Sequence, residues 1–470
     1  MVLPLSCLLC FISTFTFVAP FKLKTGEIWL MKSENDEFLL NVNSTPTELD
    51  TWYMLIKENT NSVSDKILTI DADGKLKKTL KIDDSNEEVF TDVDGSSSVT
   101  ISYDKRTKKY KIDGILNNTW VIAPVDNTWI APQSQMIWST AKDCDDCLAV
   151  DLHTLKEIET ETVGSDFLEY PSNETNLADD PRVKAQPLPN TVYPEVLVSV
   201  DYSLHKALGS SESRTRQYVQ KHFNSVNSMY AKLYSPRVKL VLAGVVVGTS
   251  AASMPFLHRG GRYTTAFEGG SALDSMARYY YNKAGVPKHD LVVALTAQDM
   301  QTRGRSGVIG LAYVSGACGN SYGVTRSVTI VEDRGTYNGV GTMAHEIGHL
   351  FGSDHDGSGR GRGCGNNYIM SPYSNGSKRW SQCTEKQIRT FMSGRRAYCM
   401  YNKPSGVSGG VFPITPTTSR PYRPNYPTTS RPVYPNWPTT SRPRRPRGPT
   451  ISDILNFFFN RFRFQQEQQE

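Results

Sequence analysis

One short stretch of this sequence constrains the fold more than any other, because its histidines are spaced for a single helix that then stops. His345 and His349 are four residues apart, so on a helix both imidazoles lie on one face and can bind one metal ion. Glu346, beside the first histidine, can take a proton from water at that metal. Gly352 permits the left-handed turn that ends the helix, after which His355 can reach the same ion. Three histidine ligands leave a coordination position open, which is typical of a catalytic zinc site.

The alternative is a helix that carries these histidines by coincidence. Three of the chain's eight histidines fall between residues 345 and 355. A random match to the six specified residues of such a motif is on the order of 10⁻⁵ for a chain of this length. Neutral imidazoles in an open tetrahedral site suit zinc. We therefore predict one catalytic Zn²⁺, and nothing in the sequence indicates a Ca²⁺ site.

The stretch from His345 to Asp356 resembles the zinc-binding signature of the metzincin metalloproteases. Asp356, directly after the third histidine, is similar to the adamalysin (reprolysin) branch. Met370 follows at a distance that resembles the methionine turn of the family, and residues 310–314 resemble its edge strand. The resemblance covers roughly residues 193–400. With its terminal tail, the chain looks most like the salivary-gland metalloproteases of ticks.

The resemblance implies a secreted endopeptidase that hydrolyses internal peptide bonds of extracellular host or matrix proteins. It implies that Glu346 is the general base, and that an extended substrate pairs with an edge strand made of Leu311, Ala312, Tyr313 and Val314. The rival hypothesis is a binding protein in which the metalloprotease domain is only a scaffold. The complete set of three histidines, Glu346 and Met370 favours the enzyme.

The resemblance also implies an α/β catalytic domain, with a twisted mixed sheet, helices that include the zinc helix, and a small irregular subdomain beyond Gly352. In that subdomain Asp356 and Met370 would lie close to the metal. The implied disulfide pairs are Cys318 with Cys399 and Cys364 with Cys383. Counting alone leaves three possible pairings of these four cysteines.

The first twenty residues carry no charged side chain, and the apolar run is short, so residues 1–22 are predicted to be a signal peptide. An N-terminal anchor is the alternative, since Pro20 is a poor residue just after a cleavage site. Six cysteines remain after residue 22, and an even number in a secreted chain favours disulfides. The candidate glycosylation sites are Asn43, Asn117, Asn173 and Asn375.

The net charge of the chain is +5, but the charge is distributed unevenly along it, and the segments differ in sign. Residues 21–190 carry −13, residues 191–400 carry +11 and residues 401–470 carry +7. A polar, proline-rich stretch ends near residue 190 and marks a linker. We therefore predict a propeptide at 23–190 and the zinc metalloprotease domain at 191–402. A weakly positive total is poor evidence for nucleic-acid binding, and we predict none.

The order of predicted elements changes at that boundary. Before it, runs such as Ile67–Ile70 and Val99–Tyr103 predict a mostly β propeptide, with Asp-Gly turns at 73–74, 94–95 and 113–114. After it, strands alternate with helices, which predicts a largely parallel α/β sheet. The predicted strands are Val196–Val200, Val238–Val247 and Leu291–Leu295, and the predicted helices are Arg214–Leu233 and Ser271–Lys283.

Cys144 and Cys147 are the two cysteines of the predicted propeptide. They are the only residues of that segment that could inhibit the enzyme by binding zinc through a thiolate. The acidic residues beside them would raise a thiol pKa, so a local disulfide or a packing role is the favoured interpretation over a zinc switch. The nearest basic cluster before the catalytic domain is Arg182 to Lys184. The activating cleavage site is not determined by the sequence.

The end of the chain is low in complexity. Residues 403–450 repeat a Pro/Thr/Ser/Arg pattern every eleven residues and are predicted to be an extended, disordered linker. Residues 451–470 are predicted to be an aromatic amphipathic tail. The arginines could bind polyanions or an anionic membrane surface, and a plain solvated spacer is the alternative. We predict protein substrates as partners and a monomeric chain.

Overall fold

A computed structural model provides the structure of the chain, and all the residues that it describes lie in the first of two compact units, Met1–Phe412. The predicted signal peptide, Cys144, Cys147, Asn173 and the tail beyond residue 404 lie outside the described residues. The described residues are 26–32, 37–44, 51–57, 67–78, 87–106, 108–124, 153–157, 187–257, 266–302, 305–321 and 323–404.

The described residues between 26 and 157, which we call the N-terminal region, form strands. Eight of these strands make one antiparallel sheet in the order β1-β2-β3-β6-β7-β8-β9-β10. One face of this sheet has its own apolar core, which contains Leu40, Leu55 and Ile112. The strands of the N-terminal region are β1 Gly26–Lys32, β2 Phe38–Ser44, β3 Thr51–Lys57, β4 Ile67–Ile70, β5 Leu76–Lys78, β6 Glu87–Thr91, β7 Ser98–Asp104, β8 Lys109–Leu116, β9 Trp120–Pro124 and β10 His153–Glu157.

One predicted turn of this region is wrong. The Asp-Gly pairs at 73–74 and 94–95 do lie between strands, but the pair at 113–114 lies inside β8. A Cβ atom at Gly114 would lie 2.7 Å from the Cα of Val99 on the neighbouring strand, so this glycine allows a close approach of two strands. The chain turns instead at Asn117 and Asn118, which both have positive φ angles of 50° and 53°.

The described residues between 187 and 404, which we call the central region, alternate strands with helices. Its strands are β11 Thr191–Val192, β12 Glu195–Val200, β13 Arg237–Val238, β14 Val241–Gly248, β15 Ala266–Glu268, β16 Leu291–Thr296, β17 Asp299–Thr302, β18 Arg305–Val308, β19 Gly310–Ala312, β20 Asn320–Ser321, β21 Val324–Thr325 and β22 Val328–Glu332. Its helices are α1 Tyr202–Ala207, α2 Glu212–Tyr230, α3 Gly269–Tyr280, α4 Val340–Leu350 and α5 Gln382–Met392.

The principal sheet of the central region has seven strands in the order β19-β22-β16-β12-β14-β4-β5. Neighbours from β22 to β4 are parallel, while β19 and β5 pair antiparallel at the two edges. The middle strands are continuous apolar runs, because side chains of β12 such as Val196 and Leu197 enter separate cores on opposite faces of the sheet. The predicted mixed, largely parallel α/β sheet is confirmed.

Two strands of this sheet come from before residue 190. The hairpin β4–β5 leaves the N-terminal region and pairs with β14, so the sheet contains residues from both sides of the predicted boundary. The assignment of residues 23–190 as a propeptide stays a prediction.

The helices place the histidine motif at the centre of the fold. The predicted helix from Arg214 is α2, and its N-cap Ser211 accepts a hydrogen bond from the Arg214 backbone N–H at 3.3 Å. Helix α4 contains the motif and packs against α2 and β22. Beyond Gly352 the described chain is mostly irregular, with α5 and a short 3₁₀ segment at Arg395–Tyr401. Among the described residues, no helix has the length and apolar content needed to cross a membrane.

Candidate metal centre

The motif helix α4 begins without a side-chain cap of its own, since its first residue is preceded by Gly339. Asp333, at the end of β22, takes this role from a distance: its Oδ2 accepts the Gly339 backbone N–H at 3.0 Å and its Oδ1 accepts that of Gly335 at 2.8 Å. The Tyr218 hydroxyl donates to the same carboxylate at 2.5 Å, and His222 Nε2 lies 3.1 Å from it. This buried network joins α2, the sheet and the start of α4.

Within α4 and the turn after it, three imidazoles converge on one point. The Nε2 atoms of His345, His349 and His355 lie 3.0 to 3.2 Å from one another, and all three residues are buried. His345 and His349 lie one turn apart on one face of the helix, as their spacing predicts. Among the described residues, these three histidines form a cluster that could hold a metal ion.

Backbone carbonyls orient two of these rings. His345 Nδ1 lies 2.7 Å from the Ile369 carbonyl oxygen, and His349 Nδ1 lies 2.7 Å from that of Ser353. Because a carbonyl oxygen can only accept, Nδ1 carries the proton and Nε2 keeps its lone pair toward the triad. Burial lowers the pKa of His345 to about 4 and, with the nearby His345 ring, that of His355 to about 3. The ligand atoms are therefore neutral donors, which is the form that zinc binds.

Glu346 lies fully buried next to the triad. Neither carboxylate oxygen has a hydrogen-bond partner among the described residues, and burial raises the pKa of this group well above its usual range. A buried carboxyl group without a partner is costly, so such a group needs an explanation. A zinc ion and a water molecule at the triad would supply one, and the residues present fit a zinc site.

A glycine of the edge strand makes room for this carboxyl group. A Cβ atom at Gly310 would lie 2.8 Å from Glu346 Cδ and closer still to Oε1, and 2.6 Å from Thr342 Cγ2. Both distances are shorter than van der Waals contact, so a side chain at position 310 would force the side chains of Glu346 and Thr342 to shift. Gly310 was predicted to lie in the edge strand, but its role beside Glu346 was not predicted, because no local sequence pattern signals it.

The turn after the helix brings the third histidine back to the first two. Gly352 follows the end of α4 with φ at 86°, which is the left-handed conformation expected of it, and its N–H donates to the His349 carbonyl at 2.8 Å. Asp356 N donates to the Met370 carbonyl at 2.8 Å, while the side chain of Met370 is fully buried against Gly348 of the helix. The methionine turn thus supports both sides of the triad.

The side chain of Asp356 contacts the irregular part of the central region beyond Gly352 and does not belong to the histidine triad. Its Oδ1 accepts the Ser381 hydroxyl at 2.5 Å, and Ser381 is the N-cap of α5, where its Oγ accepts the Thr384 N–H at 3.0 Å. The carboxyl group is buried, which raises its pKa. Asp356 therefore connects the end of the motif to the start of α5, a contact that the sequence analysis did not predict.

An open cleft borders the triad. It lies between the first turn of α4 and the segment 369–378. The edge strand of the sheet is β19, which spans Gly310–Ala312. Val314, which was predicted to belong to this strand, lies in the turn that follows it. Residues that line the cleft include Ile309, Thr342, His345, Ile369, Ser371 and Tyr373.

Two disulfides close this part of the chain. Cys318 is bonded to Cys399 and Cys364 to Cys383, which are the pairs that the resemblance implies. Of the candidate glycosylation sites, Asn117 is exposed at its turn, and Asn43 lies in β2. Asn375 lines the cleft, and its Nδ2 donates to the Asn366 carbonyl at 2.6 Å. Glycosylation at these sites stays a prediction.

Removal of the Asp333 carboxylate is expected to destabilise the fold. Asp333→Ala leaves buried donors at Gly335, Gly339 and Tyr218 without their acceptor, at about 1–3 kcal/mol for each group that finds no other partner. We expect the free energy of unfolding in urea to fall by about 3 kcal/mol or more. The control Asp73→Ala removes an exposed carboxylate from a turn and should change it by less than about 0.5 kcal/mol. Equal effects of the two substitutions would contradict the capping role.

Comparisons with known proteins agree with this geometry. Residues 191–381 match the family model Reprolysin_5, which is described as metallo-peptidase family M12. A Bombyx mori protein named "A disintegrin and metalloproteinase with thrombospondin motifs like" is 33% identical over 236 residues, which are 46% of this chain and 34% of that protein. Venom metalloproteinase 3 of Eulophus pennicornis is 27% identical over 240 residues, which are 48% of this chain and 56% of that protein.

The chain therefore spans about a third to about a half of the length of these relatives. Metalloproteinase-II of Bacteroides fragilis is a similar solved structure, with 13% identity, coverage of 74% of this chain and 90% of that chain, and a TM-score of 0.38. The narrower resemblance to proteins of ticks stays a prediction. The family match covers the motif helix and five of the seven strands of the principal sheet, and residues 191–381 are thus a reprolysin-type metallopeptidase domain of family M12.

Proposed function

We propose that this chain is a secreted zinc endopeptidase that hydrolyses internal peptide bonds of extracellular proteins. The observation that carries the proposal is the pairing of two features at one point: three neutral imidazoles whose Nε2 atoms converge, and the buried Glu346 carboxyl group beside them. A scaffold without activity would not need a buried carboxyl group at this position. The two disulfides of the central region support an extracellular location.

The three histidines would hold the zinc ion, which supplies Lewis-acid polarisation of a peptide carbonyl and lowers the pKa of water. Glu346 would be the general base, because it lies beside the triad and against the edge strand and its carboxylate can accept a proton. The same group can then return the proton to the leaving amine. Gly310 leaves the space beside β19 that this carboxyl group occupies.

We infer that the substrate lies as an extended strand along β19. Among the described residues this strand pairs with β22 alone, so its other side is an edge of the seven-stranded sheet. Main-chain pairing would tolerate many sequences. A substrate side chain could enter the adjoining cleft, whose wall includes Ser371 and Tyr373.

The other parts of the chain have roles that belong to the same proposal. The N-terminal region would be the propeptide, and the basic repeat tail would bring the enzyme to polyanions or anionic membrane surfaces. The enzyme would act as a monomer.

Metal removal tests the proposed activity. We expect 1,10-phenanthroline to abolish cleavage of casein by the processed protein, and stoichiometric Zn²⁺ added after removal of the chelator to restore it. Cleavage should be insensitive to serine-protease and cysteine-protease inhibitors. Binding of a protein ligand without any chelator-sensitive cleavage would support the scaffold hypothesis and contradict this one.

A further inference from the structure

The hairpin β4–β5 joins the N-terminal region to the central region through main-chain hydrogen bonds. Strand β4 pairs in parallel with β14, from Ile67 opposite Val245 to Ile70 opposite Gly248. The Ile70 carbonyl oxygen accepts from the Thr249 N–H at 3.0 Å and from the Ser253 hydroxyl at 2.8 Å. Without the hairpin, β14 would be an open edge of the sheet.

Apolar side chains of the hairpin complete both cores of the central region. Ile67 belongs to the core on one face of the sheet, together with Val245, and Ile70 belongs to the core on the other face, together with Val246. Both isoleucines are at most 2% exposed. Burial of both side chains removes apolar surface from water and so stabilises the contact. The hairpin is therefore bound by packing as well as by pairing.

A second contact lies on α2 and has a different chemistry. Lys221 is buried, and its ammonium group binds the carboxylate of Asp113 in β8 and donates to the Asp113 carbonyl at 3.0 Å. Asn118 Nδ2 donates to Ser228 Oγ at 2.8 Å, and Asn224 Nδ2 to Ser98 Oγ at 3.1 Å. These pairs are polar on both sides of the contact.

Ile115 and Val121 of the N-terminal region share a core with Phe223 of α2, and beside them this face of α2 also carries buried polar side chains that an ordinary core contact would lack. A face that was covered in every state of the protein would be expected to be apolar, as in permanent interfaces. Lys221, Asn224 and Ser228 would instead be well hydrated if the N-terminal region left. The opposite net charges of residues 21–190 and 191–400 also favour association.

We propose that the edge of β14 and the polar face of α2 form a docking surface that retains the N-terminal region as a separate chain after the connecting residues 158–186 are cut. The partner is residues 26–157 of this same protein. The docking surface lies away from the zinc cleft, because no described residue of the N-terminal region lines that cleft. This inference concerns association and does not rest on peptidase activity.

The test uses the full chain with a site for a sequence-specific protease inserted between residues 178 and 182. The Glu346→Ala background prevents self-cleavage from altering the fragments. After complete cutting, we expect both fragments to elute as one complex in size-exclusion chromatography at micromolar concentration and 0.15 M salt. On a denaturing, non-reducing gel they should separate. Elution as two species, with or without precipitation of either one, would overturn the proposal, as would a covalent link on the gel.

A variant tests the polar contact by itself. Asp113→Ala removes the partner of Lys221 and should speed dissociation of the two cut fragments by about thirtyfold or more. Asp73→Ala makes the same change of net charge at an exposed turn of the hairpin and should leave the rate unchanged. Equal rates for Asp113→Ala and the wild type would show that the Lys221–Asp113 pair does not contribute to docking, which would overturn the role given to that pair.

Discussion

Glu346→Ala is expected to lower the rate of peptide hydrolysis by about 10²–10⁴-fold while the chain still binds one zinc ion. The carboxyl group is not a ligand in this arrangement, since the three Nε2 atoms of the histidines form the site. Its loss therefore removes the proton acceptor and leaves the metal donors intact. Hydrolysis of a quenched fluorescent peptide and zinc content by mass spectrometry are the two measurements.

Two controls make this result specific. His349→Ala should lose both zinc and activity, because it removes one of three ligands. Glu385→Ala, an exposed glutamate in the first turn of α5, should change neither. If Glu346→Ala retained wild-type activity with zinc bound, another group would be the base. If it lost zinc, Glu346 would support the metal site instead.

Gly310→Ala is expected to lower kcat by about a hundredfold, although it adds one methyl group and removes no polar atom. The new Cβ would lie 2.8 Å from Glu346 Cδ and 2.6 Å from Thr342 Cγ2, so the glutamate side chain must move. A displacement of this size at a general base costs much of its contribution to the rate. Zinc content and KM should change far less, because neither the ligands nor the outer side of β19 is altered.

The matched control is Gly365→Ala, at a position where a Cβ atom would have no neighbour within 4 Å. It should retain wild-type kcat. A Gly310→Ala enzyme with normal kcat would show that the glutamate is not held against the edge strand during catalysis. Equal losses of kcat and zinc would indicate a general disturbance of the site.

The parts of this structure that sequence could predict are those with a local physical cause. The spacing of His345 and His349 specifies one helix face, and Gly352 specifies the end of that helix, because both depend on backbone geometry within a few residues. The apolar runs around Val196 and Leu291 predicted strands of the central sheet for the same reason. Their burial on both faces follows from the alternation of strands and helices.

The parts that sequence could not predict depend on partners far along the chain. Ile67–Ile70 was predicted to be a strand, but a four-residue apolar run contains no information about which sheet it joins. Asp333 looks like an ordinary acidic residue after a strand, and its role depends on the distant Tyr218 and on a helix that has no cap of its own. The Asp-Gly pair at 113–114 has the composition of a turn, and the close approach of Val99 decides otherwise.

The insertion of β4 beside β14 has a consequence for protein synthesis. About 170 residues separate the two strands, so the ribosome releases Ile70 roughly ten to thirty seconds before Val241 at ordinary elongation rates. During that interval the hairpin has no partner for its pairing edge. The eight-stranded sheet on either side of it in sequence is complete earlier and can hold both ends of the hairpin close together. We therefore expect the N-terminal region to fold first and to offer β4 as the edge with which β14 pairs.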